Sequence, residues 1–92
     1  MHPSQADNFE WDDGNMTELA RHRVSSQEAF EVLENEPVWV RNRNDRAGNW
    51  QAFGRTNGGR PLRMICEMRE DGTLRVITGW DMSAGERDRF LR

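Results

Sequence analysis

Two side chains in the first third of the chain, Glu18 and His22, have the types and the spacing of an acid–base pair. Histidine ordinarily titrates closest to neutral pH, so it is the natural side chain to accept or donate a proton. A helix would place residues four apart on one face, where the carboxylate could orient the ring. The same spacing also fits a plain surface ion pair, and His22 also fits a structural histidine at a helix end. Taken alone, the two residues favour these plainer interpretations.

All thirteen basic residues are arginine, and most of them lie in the middle of the chain. Residues 1–36 carry nine acids against two arginines, whereas residues 37–75 carry eight arginines against four acids. Because a guanidinium group binds phosphate with two donors and stacks on bases, an arginine cluster suits RNA. GC-rich coding bias would produce the same composition. The absence of lysine excludes an amine general base or a Schiff-base nucleophile.

Length and composition predict a single small domain at 8–92, after a disordered tail at 1–7. No apolar run approaches about 18 residues and no apolar signal stretch precedes the domain, so we expect a cytoplasmic protein without a membrane partner. Cys66 is predicted to be a buried thiol, and two histidines with one cysteine make no metal-ligand set. No phosphate-binding glycine loop or nucleophile motif occurs, and we predict neither a cofactor nor a metal.

Hydrophobic periodicity and turn residues predict the element order β-α-α-β-β-β-β-α. The predicted strands cover residues 8–12, 38–42, 50–56, 62–69 and 74–78, and the predicted helices cover residues 14–22, 25–35 and 83–90, with a loop at 44–48. Two capping boxes, Ser25-x-x-Glu28 and Ser83-x-x-Glu86, mark helix starts. Asn57-Gly58 and Asp71-Gly72 are typical of two-residue hairpin turns. In the first helix, Met16, Leu19 and Ala20 are predicted to face the core.

Strands joined by tight turns predict an α+β fold, in which a four-stranded antiparallel meander and a short N-terminal strand are covered on one face by the helices. Alternation places the core side on Leu62, Met64, Cys66 and Met68, with Leu74 and Val76. The other side would carry Trp39, Arg41, Arg43, Phe53, Arg55, Arg63, Ile65, Glu67, Arg69, Arg75 and Ile77. Such a face suits RNA or an acidic protein surface, although the pattern alone favours a solvated face with Arg–Glu pairs. Trp11 and Trp80 are predicted to be core or rim anchors.

Several short stretches stand in a specific order and spacing along the chain. They are Phe9-Glu10-Trp11-Asp12, the run Leu19-Ala20-Arg21-His22-Arg23-Val24-Ser25 with Glu28-Ala29, then Gly54-Arg55-Thr56, Arg75-Val76-Ile77-Thr78 and Ser83-x-x-Glu86-Arg87-x-x-Phe90. Together they resemble the BrnT family, the toxins of prokaryotic type II toxin–antitoxin pairs. The resemblance covers about residues 8–91.

This resemblance implies a RelE-like fold and a metal-independent endoribonuclease that blocks translation. It also implies a BrnA-like antitoxin, which would neutralise the toxin and alone contact operator DNA. Metal-free RNA cleavage needs a group for the ribose 2′-hydroxyl proton and cations for the charge on phosphorus. We therefore predict a catalytic set of His22, Arg21, Arg63 and Arg75, with Glu18 and Glu67 as base or orienting partners. We predict RNA contacts at Arg41, Arg43, Arg55, Trp39 and Phe53.

The chain departs from the family pattern at four places. Arg21 replaces a lysine and Arg23 a glycine on either side of His22, Thr78-Gly79-Trp80 replaces Ser-Ala-Arg, and Phe90 replaces a tyrosine. Losing one cationic phosphate contact can lower a rate by orders of magnitude. An alternative function is therefore a non-catalytic binding module, whose arginine-rich face holds a partner protein or nucleic acid. A third is a regulatory or structural domain that shares only short strings with the toxins.

Overall fold

The computed structural model describes residues 1–43 and 49–91. In this part of the chain the elements follow the predicted order: β1 (Asn8–Glu10), α1 (Asp13–Arg21), α2 (Ser26–Glu34), β2 (Val38–Arg41), β3 (Trp50–Arg55), β4 (Pro61–Met68), β5 (Thr73–Asp81) and α3 (Ala84–Phe90). The α+β fold class is thereby confirmed. The predicted loop at 44–48 lies outside the described residues. No described helix is long and apolar enough to cross a bilayer.

The strands form one mixed sheet in the order β1-β5-β4-β3-β2. The predicted antiparallel meander is confirmed for β2 to β5. β1 joins the sheet parallel to β5, with Phe9 opposite Leu74. Because β1 pairs only with residues 73–75, the rest of β5 is an edge without a strand partner among the described residues. That edge positions the candidate site.

Helices α1 and α2 cover the predicted core face of the sheet. Leu62, Met64 and Cys66 of β4 are fully buried there, against Leu19 of α1 and Val32 of α2. At Gly79 of β5, an added Cβ would lie 3.0 Å from Met64 Cγ and 3.2 Å from Leu19 Cδ2. The missing side chain at this position therefore lets α1 approach the strand closely.

Helix α3 lies on the other face, which we call the second face and define by Phe53, Ile65 and Arg63. The Phe90 ring stacks on Phe53 with 4.0 Å between ring centroids, and Glu86 Oε2 lies 3.2 Å from Arg63 Nη1. The prediction that all helices cover one face was wrong. Phe53 and Ile65 are apolar, and packing α3 over this face removes them from water.

The face predicted for the first strand of the meander was also wrong. Trp39 pairs with buried Ala52, and Arg41 pairs with Trp50, so both lie on the face that α1 and α2 cover. Alternation correctly separates Val38 and Val40 from Trp39 and Arg41. Alternation does not determine which set faces α1 and α2, because strand register decides that.

The inward face of α1 differs from the predicted one. Leu19 is buried as expected, but Met16 is 43% exposed and Ala20 is exposed. Asn15 is buried in their place, with 1% of its surface exposed. The helix packs along β5, so only a narrow strip of its surface is covered. Periodicity gave the correct element but too wide an apolar face.

Both hairpin loops are one residue longer than the sequence predicted. Gly59 and Gly72 have φ values of 91° and 90°, and each donates its N–H to the residue three positions earlier, Thr56 or Arg69. These bonds define three-residue loops with glycine in the left-handed position. The predicted two-residue turns were therefore wrong in type, although both hairpins were placed correctly.

Residues 1–7, which we expected to form a disordered tail, lie against the sheet. Residues Pro3–Gln5 form a 3-10 turn in which Pro3 is buried. The His2 ring lies edge-on to Trp50, at 4.9 Å between centroids, and the Asp7 N–H donates to the Gly72 carbonyl at 2.9 Å. Contacts with tryptophans far along the chain thus order a segment whose own sequence is polar.

Helix α1 ends in a Schellman motif. The Val24 N–H donates to the Leu19 carbonyl and the Arg23 N–H to the Ala20 carbonyl, each at 3.0 Å. This geometry places Arg23 at φ 59°, a left-handed conformation that favours glycine. The family that the sequence resembles has glycine at this position, so the departure at Arg23 strains the backbone without changing the motif.

We therefore expect Arg23→Gly to raise the free energy of unfolding by about 1 kcal/mol, because glycine adopts the left-handed conformation without a Cβ clash. Arg23→Ala is the matched control, since it removes the same side chain but keeps Cβ. Urea denaturation of the three proteins measures the effect. Equal stabilisation by alanine would show that the side chain, and not the backbone, is the source of the strain.

Candidate active site

The C-terminal end of α1 lies beside the unpaired part of β5, and there Glu18 and His22 face each other. The predicted pairing is present: His22 Nε2 lies 3.2 Å from Glu18 Oε2. The His22 side chain is 41% exposed, so a ligand could reach it. The carboxylate can only accept hydrogen bonds at neutral pH, so it favours the ring form with a proton on Nε2.

Thr78 is a third member of this group, and sequence analysis missed it. Its hydroxyl donates to Glu18 Oε2 at 2.8 Å, the same oxygen that His22 contacts. The bond from Thr78, followed by the one from His22, holds the pKa of Glu18 below its usual value. Glu18 is therefore a carboxylate throughout the neutral range. The one available sequence signal was the position of Thr78 inside a stretch that matches the toxin family.

Thr78 follows an irregularity in β5. Val76 pairs with Cys66 and Thr78 pairs with Ile65, so Ile77 has no partner residue on β4. Such an extra residue is a β-bulge, which bends the strand and changes the direction of nearby side chains. After it, Gly79 takes the core-facing position next to α1.

Trp80 connects the His22 group to Arg63 on the second face. The Trp80 ring centroid lies 5.7 Å from that of His22, and Arg63 Cζ lies 5.1 Å from the Trp80 centroid. Arg63 also pairs with Glu86 of α3. Arg21 lies on the outer side, with Nη1 3.8 Å from Glu18 Oε1 and a side chain that is 73% exposed. Glu18, Arg21, His22 and Arg63 are thus the four predicted catalytic residues that the fold brings together.

The other two predicted catalytic residues, Arg75 and Glu67, lie elsewhere. Arg75 pairs with Asp12, the N-cap of α1, whereas His22 caps the opposite end of that helix, about 15 Å away. Glu67 lies four residues from Arg63 along β4, or about 13 Å. Glu67 and Arg75 are direct neighbours on the adjacent strands β4 and β5, and they belong to a separate cluster.

That cluster is a network of ion pairs that fastens β1 to the sheet. Glu10 of β1 forms ion pairs with Arg69 Nη1 and Arg75 Nη1, each at 2.8 Å. Arg69 also forms an ion pair with Glu67 at 3.2 Å. Asp12 accepts hydrogen bonds from both terminal nitrogens of Arg75. The Arg75 side chain is only 19% exposed, and both of its terminal nitrogens donate to carboxylates. The plainer interpretation, Arg–Glu pairing on a solvated face, describes this end of the sheet.

The five predicted RNA contacts are spread over both faces. Phe53 is buried beneath Phe90, so its ring is not open to a base in this conformation. Trp39 packs against the core, and the guanidinium of Arg41 lies 5.0 Å from the Trp50 ring. Arg43 and Arg55 are exposed, and Arg55 donates to the Gly59 carbonyl.

The lone thiol is buried as predicted. Cys66 has no exposed surface, and burial raises its pKa far above the usual value, so it stays protonated. In residues 1–43 and 49–91, no group of three or more His, Cys, Asp or Glu side chains could hold a metal ion.

Comparison with known proteins does not identify the chain. No protein-family model matches its sequence, and no curated protein is significantly similar to it. The resemblance to BrnT toxins thus stays a prediction from the residues quoted above.

The network at β1 predicts a loss of stability in acid. The hydrogen bond from Arg75, with a smaller one from the Asn15 backbone, lowers the pKa of Asp12 from 3.8 to about 2. A depressed folded-state pKa means that Asp12 stabilises the fold fully above its unfolded pKa of 3.8 and that this stabilisation is lost as the pH falls towards about 2. Asp12→Asn keeps the N-cap oxygen but removes the titrating group. In thermal melts over a series of pH values, we expect this variant to show a smaller fall of Tm with decreasing pH.

Asp13→Asn is the matched control for that series. Asp13 is exposed at the next position and pairs with no base in the described part of the chain. This variant should show the same fall of Tm with decreasing pH as the unaltered protein. An equal flattening by both variants would contradict a specific role of the pair between Asp12 and Arg75.

Proposed function

We propose that this chain is a cytoplasmic endoribonuclease toxin that needs no metal and is neutralised by a BrnA-like antitoxin. The observation that carries the proposal is the exposed His22 imidazole, which Glu18 holds in place next to Arg21 and Trp80. The sequence resemblance covers the stretches that supply these residues. It also supports a partner protein that would make the contacts to operator DNA.

The proposed reaction is a transesterification within the RNA. His22 Nδ1 takes the proton of a ribose 2′-hydroxyl, and the 2′-oxygen bonds to the adjacent phosphorus. The bond from phosphorus to the 5′-oxygen breaks, and the proton passes from His22 to that oxygen. The products are a 2′,3′-cyclic phosphate and a free 5′-hydroxyl. Arg21 and Arg63 are the cations that stabilise the charge on the phosphate.

A non-catalytic binding module is the second candidate function, and one observation favours it. Arg63, Arg69 and Arg75 are already paired with carboxylates, so a phosphate would have to compete with Glu86, Glu10 or Asp12. Arg41 and Arg43 are exposed, and neither makes an ion pair with another described residue. They would serve an acidic partner segment as well as RNA.

Controlled expression of the chain, with growth and total RNA followed over time, tests the proposal. We expect growth arrest together with RNA fragments that carry 2′,3′-cyclic phosphate ends. The purified protein should produce the same ends on RNA in the presence of EDTA. Soluble protein that leaves both growth and RNA intact, but binds a partner tightly, would instead support the binding module.

A further inference from the structure

Glu18 contacts three other residues of the candidate site, and its two carboxylate oxygens have different partners. Oε2 contacts both the Thr78 hydroxyl, at 2.8 Å, and His22 Nε2, at 3.2 Å. Oε1 faces Arg21 at the longer distance of 3.8 Å. The closest contact to the carboxylate thus comes from the strand and not from its own helix.

This difference matters because Glu18 and His22 alone would be a weak pair. Exposed charged pairs four residues apart on a helix are weak, so both side chains would sample several rotamers. A hydroxyl from another element adds a short bond to a charged acceptor, which is among the stronger kinds of hydrogen bond. Thr78 follows the bulge at Ile77, on the strand that α1 packs along.

We propose that Thr78 is a positioning residue, which fixes the Glu18 carboxylate so that His22 is held with its proton on Nε2 and its lone pair on Nδ1. No described residue makes a hydrogen bond to Nδ1, so this nitrogen is left to accept a proton. The consequence for catalysis rests on the proposed ribonuclease function. The effect on the ring does not, since it follows from the hydrogen bonds alone.

The first test observes the ring directly. In protein labelled with ¹⁵N-histidine, at about pH 8.5, His22 should show one dominant tautomer with Nε2 protonated. Thr78→Val removes the hydroxyl and keeps the branched shape, so the two nitrogen shifts should move towards the values of mixed tautomers. Thr78→Ser should restore them. A mixed ring in the unaltered protein, or an unchanged ring in Thr78→Val, overturns the proposal.

The second test measures cleavage of a pool of end-labelled single-stranded RNA oligonucleotides. Thr78→Val should lower kcat about tenfold, the value of one lost hydrogen bond, with little change in KM. Thr78→Ser should recover activity to within about twofold. Thr17→Val, on the exposed side of α1, adds the same methyl group and should have no effect. Unaltered kcat in Thr78→Val would show that positioning by Thr78 is not used.

The two tests separate two kinds of failure. If the unaltered chain cleaves none of the RNA but His22 responds to Thr78 as expected, the ribonuclease proposal fails and the positioning role stands. If the chain cleaves RNA and the nitrogen shifts of the His22 ring do not change in Thr78→Val, the positioning role fails and the ribonuclease proposal stands. Thermal melting of each variant confirms that the compared proteins are folded.

Discussion

RNA cleavage by His22→Gln should fall by about 10²–10⁴-fold, the usual contribution of a positioned acid–base group. Glutamine keeps an N–H that can reach Glu18, but its amide accepts no proton near neutral pH. The loss should therefore appear mainly in kcat, while RNA binding through the neighbouring arginines persists. Single-turnover cleavage of end-labelled RNA, with binding measured by fluorescence anisotropy, resolves the two quantities.

The chain provides a matched control in its other histidine. His2 packs edge-on against Trp50 in the N-terminal segment, beside the other edge of the sheet from His22. His2→Gln makes the same chemical change away from the candidate site and should leave cleavage unaltered. Cleavage by His22→Gln at the unaltered rate would remove His22 from the mechanism, and the ribonuclease activity would need another base.

The largest effect on stability is expected from Asn15→Ala, which should lower the free energy of unfolding by about 2–4 kcal/mol. The Asn15 side chain donates to the carbonyls of Glu10, at 2.8 Å, and Val76, at 3.0 Å, and it accepts from the Asp12 N–H at 2.9 Å. Alanine would leave these backbone groups without their partner in a site that is almost closed to water.

Asn8→Ala serves as its control, because Asn8 is exposed on β1 and removal of its side chain uncovers no buried group. It should change stability by less than about 0.5 kcal/mol. Urea titration of both variants, with a check that the slope is unchanged, measures the difference. A small effect at Asn15 would mean that water replaces its side chain and that α1 is held by Leu19 and its apolar contacts.

Features that depend on neighbouring residues were predictable from the sequence. Two serines and one aspartate cap the three helices, at Ser25, Ser83 and Asp12, because their side chains accept hydrogen bonds from amides three positions ahead. The core side of β4 follows from simple alternation. Glu18 and His22 meet because a helix turns once in about 3.6 residues, so one local period decides their contact.

Asn15 marks the boundary of what a local pattern can indicate. Asp12-x-x-Asn15 is itself a capping box, so its local bond could have been inferred from sequence. Its second bond, to the Val76 carbonyl, joins residues far apart in the chain. Nothing in the spacing of Asp12 and Asn15 indicates that β5 lies there. The burial of a polar side chain on the inner face of α1 was consequently missed.

The sequence by itself determined the elements, their caps and the pair Glu18–His22, since the interactions responsible act within a few residues. The tertiary structure decided the rest. It turned Trp39 towards the core, placed α3 over Phe53, paired Arg75 with Asp12 and placed the Thr78 hydroxyl against Glu18. Each of these outcomes depends on strand register or on contacts between distant segments, and a residue pattern of fixed period contains neither.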